Sequence, residues 1–167
     1  VQSLWTHNVS ASVALNAGID AEHTEGSLLQ YQEQPTTGSA FLVATIPAGK
    51  HYDYDVNASL IAAFSELVWR NDSWLLSAGL RYEYIHYDYT NNMNSGRLRE
   101  DGTACGMGGC RYSRPPSSKN SFTNASPKLG ATYLYSDTTQ FYANYSLGYR
   151  APQATELYRL QRAQQVA

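Results

Sequence analysis

Cys105 and Cys110 enclose Gly106-Met107-Gly108-Gly109, and Arg97, Arg99, Arg111 and Arg114 stand close on either side. Two thiols at this spacing can hold a metal or join to each other. A zinc site needs about four ligands, and no histidine or further cysteine stands near. The pair therefore reads as a loop-closing disulfide made in an oxidising compartment. Closing so short a ring removes little chain entropy, so its main effect is to hold the loop tip in shape. With Lys119, and against Glu100 and Asp101, the arginines give the stretch a net charge of +3. Such a loop draws in an anionic small molecule such as a metal chelate, or it is simply solvated, or it meets lipopolysaccharide phosphates.

No other reactive constellation stands out. The histidines His7, His23, His51 and His86 are scattered without metal-ligand spacing. There is no Gly-x-Ser-x-Gly, no distinguishable Ser/His/Asp set, no phosphate loop and no basic stripe for nucleic acid. The expectation is a protein that is not an enzyme, with no metal and no cofactor of its own.

The elements that carry these residues repeat every two positions. Ala125, Pro127, Leu129, Ala131, Tyr133 and Tyr135 alternate with Asn124, Ser126, Lys128, Gly130 and Thr132. After Ser136-Asp137-Thr138-Thr139, Phe141, Ala143, Tyr145, Leu147 and Tyr149 alternate with Asn144, Ser146, Gly148 and Arg150. This is a β-hairpin with one apolar and one polar face. Small residues and Leu in mid-strand with rings near the ends are what a bilayer and its two interfaces select.

The same residues carry a resemblance. Ser126-Pro127-Lys128-Leu129-Gly130-Ala131, followed by Gly148-Tyr149-Arg150-Ala151-Pro152 and Glu156-Leu157-Tyr158, is similar to adjacent barrel strands of TonB-dependent outer-membrane receptors. Pro127, Gly130, Gly148, Pro152 and Leu157 are the positions that match the family motif. The resemblance implies a lumen filled by a separate plug domain, coupling to TonB, and capture of a scarce nutrient such as a ferric siderophore, cobalamin or haem.

Other stretches agree in architecture. Odd positions from Val9 to Ala21 are apolar, with Trp5 in phase at the starting rim. Glu25 to Lys50 reads as a long loop. Tyr52, Tyr54, Val56, Ala58, Leu60, Ala62 and Phe64 read as a lipid-facing row whose phase becomes doubtful from Glu66 to Trp69. Arg70-Asn71-Asp72-Ser73 is a turn, and Trp74, Leu76, Ala78, Leu80, Tyr82 and Tyr84 form the next row. Asn91 to Ser121 is a second long loop.

Long loops face outward and short turns face the periplasm in bacterial barrels. Trp5, Trp74, Tyr133, Tyr135 and Phe141 then fall on the periplasmic rim, and Tyr52, Tyr54, Tyr82, Tyr84 and Tyr149 on the outer one. Arg81 and Glu83 share the polar face, as do Lys128 and Arg150 on their strands. Such charges pair with neighbours across the wall, and the resemblance brings some of them against the plug. Pro152 must end or bulge its strand, with Arg150 and Glu156 bracketing the kink. The kink either shapes the lumen wall or is an ordinary strand exit.

Of 167 residues only 16% are charged, and 14 are Tyr. No apolar run approaches the ~20 residues a membrane helix needs, but alternating strands hide their membrane signal. The fold class expected is all-β: antiparallel up-and-down strands forming part of a transmembrane β-barrel. About five strands span residues 1–167, with no plug domain among them, as an internal piece of a longer chain in the cell outer membrane. A passive porin-like channel, or a soluble carbohydrate-binding β-sandwich with Tyr as a sugar platform, are the competing readings.

Overall fold

Residues that alternate apolar and polar side chains cannot bury one face as a helix would, and here they run as strands over most of the chain. The structure, a computed structural model, describes residues 1–164. Its strands are β1 (Gln2–Ser10), β2 (Val13–Gln32), β3 (Gly49–Arg70), β4 (Trp74–Asn91), β5 (Tyr112–Ser113), β6 (Ser118–Ser136), β7 (Thr139–Ser146) and β8 (Leu160–Gln161). Two short helices, α1 (Ala40–Thr45) and α2 (Ala154–Tyr158), punctuate the connections. Strand takes 63% of the described residues and helix 7%. Six strands hydrogen-bond in the order β1-β2-β3-β4-β6-β7 as an antiparallel up-and-down sheet, while β5 and β8 pair separately. The sheet does not close on itself, so β1 and β7 are its edges.

The chain divides into two units. The first holds residues 1–23, 59–85 and 121–151. Its connections are tight. Ser10 Oγ accepts from the Ser12 amide at 3.2 Å after β1, and Asn71 Oδ1 accepts from the amides of Ser73 and Trp74 at 2.9 and 2.7 Å between β3 and β4. Short polar side chains closing on the backbone two or three residues on make such turns. Neighbouring turns are tied together by Arg70 N to Ser12 O at 2.8 Å and Leu134 N to Ser73 O at 2.7 Å. Trp74 and Tyr133 rings meet at 4.7 Å, and Tyr135 and Phe141 at 6.3 Å, beside these turns. β1, β2, β3 and β4 each contribute to this unit a length near the roughly 9–11 residues that cross a bilayer.

The second unit holds residues 24–58, 86–120 and 152–167. It has what the first lacks, a core closed from within. Tyr52, Tyr54, Val56, Tyr89, Tyr112, Leu157, Tyr158 and Leu160 are buried there, together with Cys105 and Cys110.

Several expectations are corrected. The sheet has six strands rather than about five, because the run from Val9 to Ala21 is broken by a turn at Ala11-Ser12. The register slips by one between Asn8 and Ser10, and the apolar phase survives on both sides of the turn. Ala-Ser supplies no glycine or proline to mark it. Trp5 accordingly lies inside β1, opposite Ala17, rather than at a rim. The loop expected from Glu25 shrinks, since β2 continues to Gln32. β7 ends at Ser146, before Tyr149 and well before Pro152.

The face assigned to β3 is inverted. A Cβ on Gly18 would run into the Phe64 ring, and Glu66 pairs with Lys128, so the even positions of β3 share the face of Gly18 and Lys128. His23 Nδ1 meets Ser59 Oγ at 3.0 Å, and Ile61 and Leu67 are exposed on the odd face. Tyr52 and Tyr54 are therefore buried in the second unit instead of standing on a lipid rim. On β4, β6 and β7 the expected apolar face holds: Leu80, Tyr82, Leu129, Phe141 and Tyr145 are all exposed.

Candidate functional site

In the first unit the polar face is a line of paired charges. Arg81 lies between Glu83, at 3.0 Å, and Asp20, with which it makes a shorter contact. Lys128 Nζ reaches Glu66 Oε1 at 2.8 Å, and its stem lies across Gly79, where a Cβ would come within 2.6 Å of it. Thr6 Oγ1 donates to Asn16 Oδ1 at 3.0 Å on the same face. Antiparallel neighbours place opposite charges across the wall at this range. Asp20 and Glu66 escaped the sequence reading, although their polar phase in long alternating runs was the available signal. Gly130 is required by proximity, since a Cβ there would stand 2.7 Å from Ser77 Oγ. Pro127 serves through its carbonyl, which accepts from Leu147 N at 3.0 Å. Nothing lies within 4 Å of a Cβ at Gly148, and the structure offers no account of that motif glycine.

In the second unit the two long connections are stitched together. Cys105 and Cys110 are joined as a disulfide with Cα atoms 4.8 Å apart. The ring so formed docks on the end of α1: Gly106 N donates to Ala44 O at 3.0 Å, and Arg111 N to Thr45 O at 2.9 Å. Met107 adopts a left-handed φ of 51° at the exposed tip, a conformation uncommon outside glycine and one that a fixed ring can hold.

The four arginines divide into two kinds. Arg114 is 1% exposed and donates to the carbonyls of Asn94, His51, Leu98 and Arg99 at 2.8, 3.0, 2.7 and 3.3 Å. Arg97 donates to Cys110 O at 2.8 Å and Gly109 O at 2.9 Å, bracing the disulfide ring. Both guanidiniums act as fasteners for loop carbonyls that have no sheet partner. Arg99 and Arg111 are the exposed pair. Asp101 closes a turn by accepting from Thr103 Oγ1 at 2.7 Å and Thr103 N at 2.9 Å. The Thr103 hydroxyl bond is the main reason its carboxyl is held below the ordinary value.

After Pro152 the chain re-enters this unit. Tyr87 Oη donates to Pro152 O at 3.2 Å, and Glu156 caps α2 by accepting from Gln153 N at 2.8 Å. Leu157 is 3% exposed, and the Tyr158 ring stacks on Tyr89 at 4.0 Å with its hydroxyl donating to Asn120 Oδ1 at 2.9 Å. Burial pushes the Tyr158 phenol up to about 12. Tyr52 Oη donates to Leu160 O, anchoring β8. The motif residues Pro152, Glu156 and Leu157 thus seat a return segment, a role the bare strand exit did not foretell. Arg150 is exposed just before it.

Among the described residues no group of three or more His, Cys, Asp or Glu is arranged to hold a metal ion. No helix of the described residues is long and apolar enough to cross a membrane, which says nothing of crossing by strands. Long antiparallel strands with an exposed apolar face, charge pairs opposite and alternately short and long connections define a wall section of a transmembrane β-barrel. The family model "TonB dependent receptor-like, beta-barrel" matches residues 2–165, and the chain belongs to that family. It is a family of outer-membrane receptors and transporters, not of enzymes. No curated protein and no solved structure matches the chain.

Proposed function

We propose that the chain is the wall and part of the lid of an outer-membrane receptor that takes up a scarce nutrient such as a ferric siderophore, energised through TonB. The family match over residues 2–165 supports this reading above all else. The exposed apolar face of the first unit would meet outer-membrane lipid. A plug domain supplied by the longer protein would fill the lumen, with Arg81, Glu83, Lys128, Arg150 and Glu156 as candidates to face it. Arg99 and Arg111, exposed on the second long connection, would meet a small anionic ligand such as a metal chelate, while Arg97 and Arg114 keep that connection in shape.

The test is uptake of a radiolabelled ferric chelate by cells carrying the full-length receptor, with and without TonB. Saturable uptake lost on removing TonB or collapsing the proton gradient is the expected result. Uptake that stays proportional to concentration and indifferent to TonB would identify a passive channel instead.

A further inference from the structure

Cys105 and Cys110 are joined at a sequence separation of 5, so their ring closes from its own short stretch and needs no other part of the chain. Met107, Gly108 and Gly109 stand in succession at φ of 51°, 81° and 103°, a left-handed run that the two glycines adopt at no steric cost. The contacts that hold the finished ring are of the other kind, since each partner comes from elsewhere in the second unit. Gly106 N donates to Ala44 O and Arg111 N to Thr45 O, and a Cβ on Gly106 would stand 3.2 Å from the Cβ of Ala44, so the ring lies flush on α1. A Cβ on Gly109 would meet Arg97 at 3.2 Å, and one on Gly108 would come within 3.2 Å of the Arg162 guanidinium. That guanidinium also covers the Phe41 ring at 5.7 Å.

With α1, Arg97 and the return segment in place, Cys110 is 0% and Cys105 5% exposed. Making a disulfide demands the reverse, because a cysteine sulfur has to meet a sulfur of the oxidant directly. A docked ring offers no such access. Topology points the same way: the ring lies on the long connection between β4 and β6, and long connections of bacterial outer-membrane barrels end outside the cell. The chemistry that keeps thiols oxidised stays behind in the periplasm. Burial and topology therefore place the reaction at one stage, before the ring docks on α1 and before the strands enter the membrane.

We propose that a periplasmic thiol–disulfide oxidoreductase is a partner of this chain, that it oxidises Cys105 and Cys110 while the segment around them is still open, and that docking on α1 then seals the bond. One cysteine thiolate attacks the enzyme's disulfide, which breaks as a mixed disulfide forms. The second cysteine thiolate attacks the first cysteine's sulfur, the mixed disulfide breaks, and the ring closes. The enzyme departs as its dithiol, carrying the two electrons and, through solvent, the two protons that the cysteines gave up. The inference rests on the receptor reading for the side of the membrane on which the ring ends.

The experiment is a pulse–chase of the full-length receptor in growing cells. Free thiols are tagged with a polyethylene-glycol maleimide after acid quench and denaturation, and insertion is read from heat-modifiable mobility on gels. The newest chains should take two tags, and chains that have become heat-modifiable should take none. Without the oxidoreductase the untagged share should drop from nearly all to a small remainder. Dithiothreitol should leave the bond intact in the native receptor and break it once the receptor is heated in detergent. Ala44→Lys, which props the ring off α1, should be reduced without heating. Heat-modifiable chains that still carry both thiols in ordinary cells overturn the order, and oxidation at an unchanged rate without the oxidoreductase overturns the partner. Native receptor reduced as fast as heated receptor, or Ala44→Lys as resistant as the unaltered chain, overturns the seal. None of these readouts involves uptake, so transport indifferent to TonB would remove the transport reading alone, and a bond made after insertion would remove this inference alone.

Discussion

The two units of this chain are built from the same long strands yet solve different problems. In the first, Leu80, Leu129, Phe141 and Tyr145 are all more than 45% exposed, and fully buried side chains are few. In the second, stacked tyrosines, a disulfide and a buried guanidinium close a core within a few dozen residues. An apolar face that finds no protein partner needs a solvent as apolar as itself, whereas irregular connections have backbone groups that must be satisfied from inside. The difference teaches that one alternating pattern serves two solvents: hydrocarbon for one segment, and the protein's own connections for the next.

The comparison breaks most visibly at Arg114. Replacing it with Ala would leave four loop carbonyls without their donor, that of His51 in a fully buried place, costing about 4 kcal/mol. Hydrogen exchange should speed up across residues 94–114 while residues 59–85 stay protected. Equal exchange in both stretches would mean that the second unit is not separately cohesive.

Next in size is Leu80→Arg on the apolar face, expected to cost about 2 to 4 kcal/mol in lipid-refolded protein. The inverted phase of β3 sharpens this test, because Arg at Ile61 should cost more than Arg at its neighbour Leu60. The opposite ranking, measured by denaturant titration in bilayers, would restore the lipid-facing row running through Tyr52 and Phe64.

A smaller loss, about 1 to 2 kcal/mol, follows from removing the disulfide in the Cys105→Ser, Cys110→Ser double variant. Proteolysis should then cut near Met107 while the strands of the first unit keep their resistance. The smallest effect is alkaline. The Tyr158 phenol, held un-ionised by burial until about 12, binds its proton more tightly folded than unfolded. Its contribution is therefore full below pH 10 and is lost as the pH climbs toward 12. Absorbance at the phenolate band should show a late-titrating group of buried tyrosines, Tyr52 and Tyr89 among them, whose amplitude falls by one tyrosine in Tyr158→Phe.

Some of this could be read from the residues alone. Period-two alternation gave the faces of β4, β6 and β7 because, within the first unit, most of their apolar residues fall on one side, with exceptions such as Leu75, Leu134 and Tyr142. Asn71 and the Ser136-Asp137 pair marked their turns by side-chain chemistry that acts within a few residues. The resemblance carried by Pro127, Gly130, Pro152 and Leu157 named the family that the match over residues 2–165 established.

β3 was misread for a physical reason. It bears apolar residues on both faces, Ile61, Ala63 and Leu67 on one and Tyr52, Tyr54 and Phe64 on the other, and alternation cannot say which of two apolar faces meets lipid. The inward arginines were equally hidden, since a guanidinium in a basic loop looks the same whether it meets solvent or carbonyls.

What the sequence determined by itself was everything set by neighbours along the chain: strand periodicity, turn chemistry, the nearness of Cys105 to Cys110, and the family. What only the tertiary structure decided was everything set by partners far apart in sequence. Arg81 meets Asp20, Arg114 gathers carbonyls from His51 and from residues 94–99, and Tyr158 returns onto Tyr89. A side chain's type limits what it can bond, but only the closure of the chain chooses which of its equals in chemistry stands within reach.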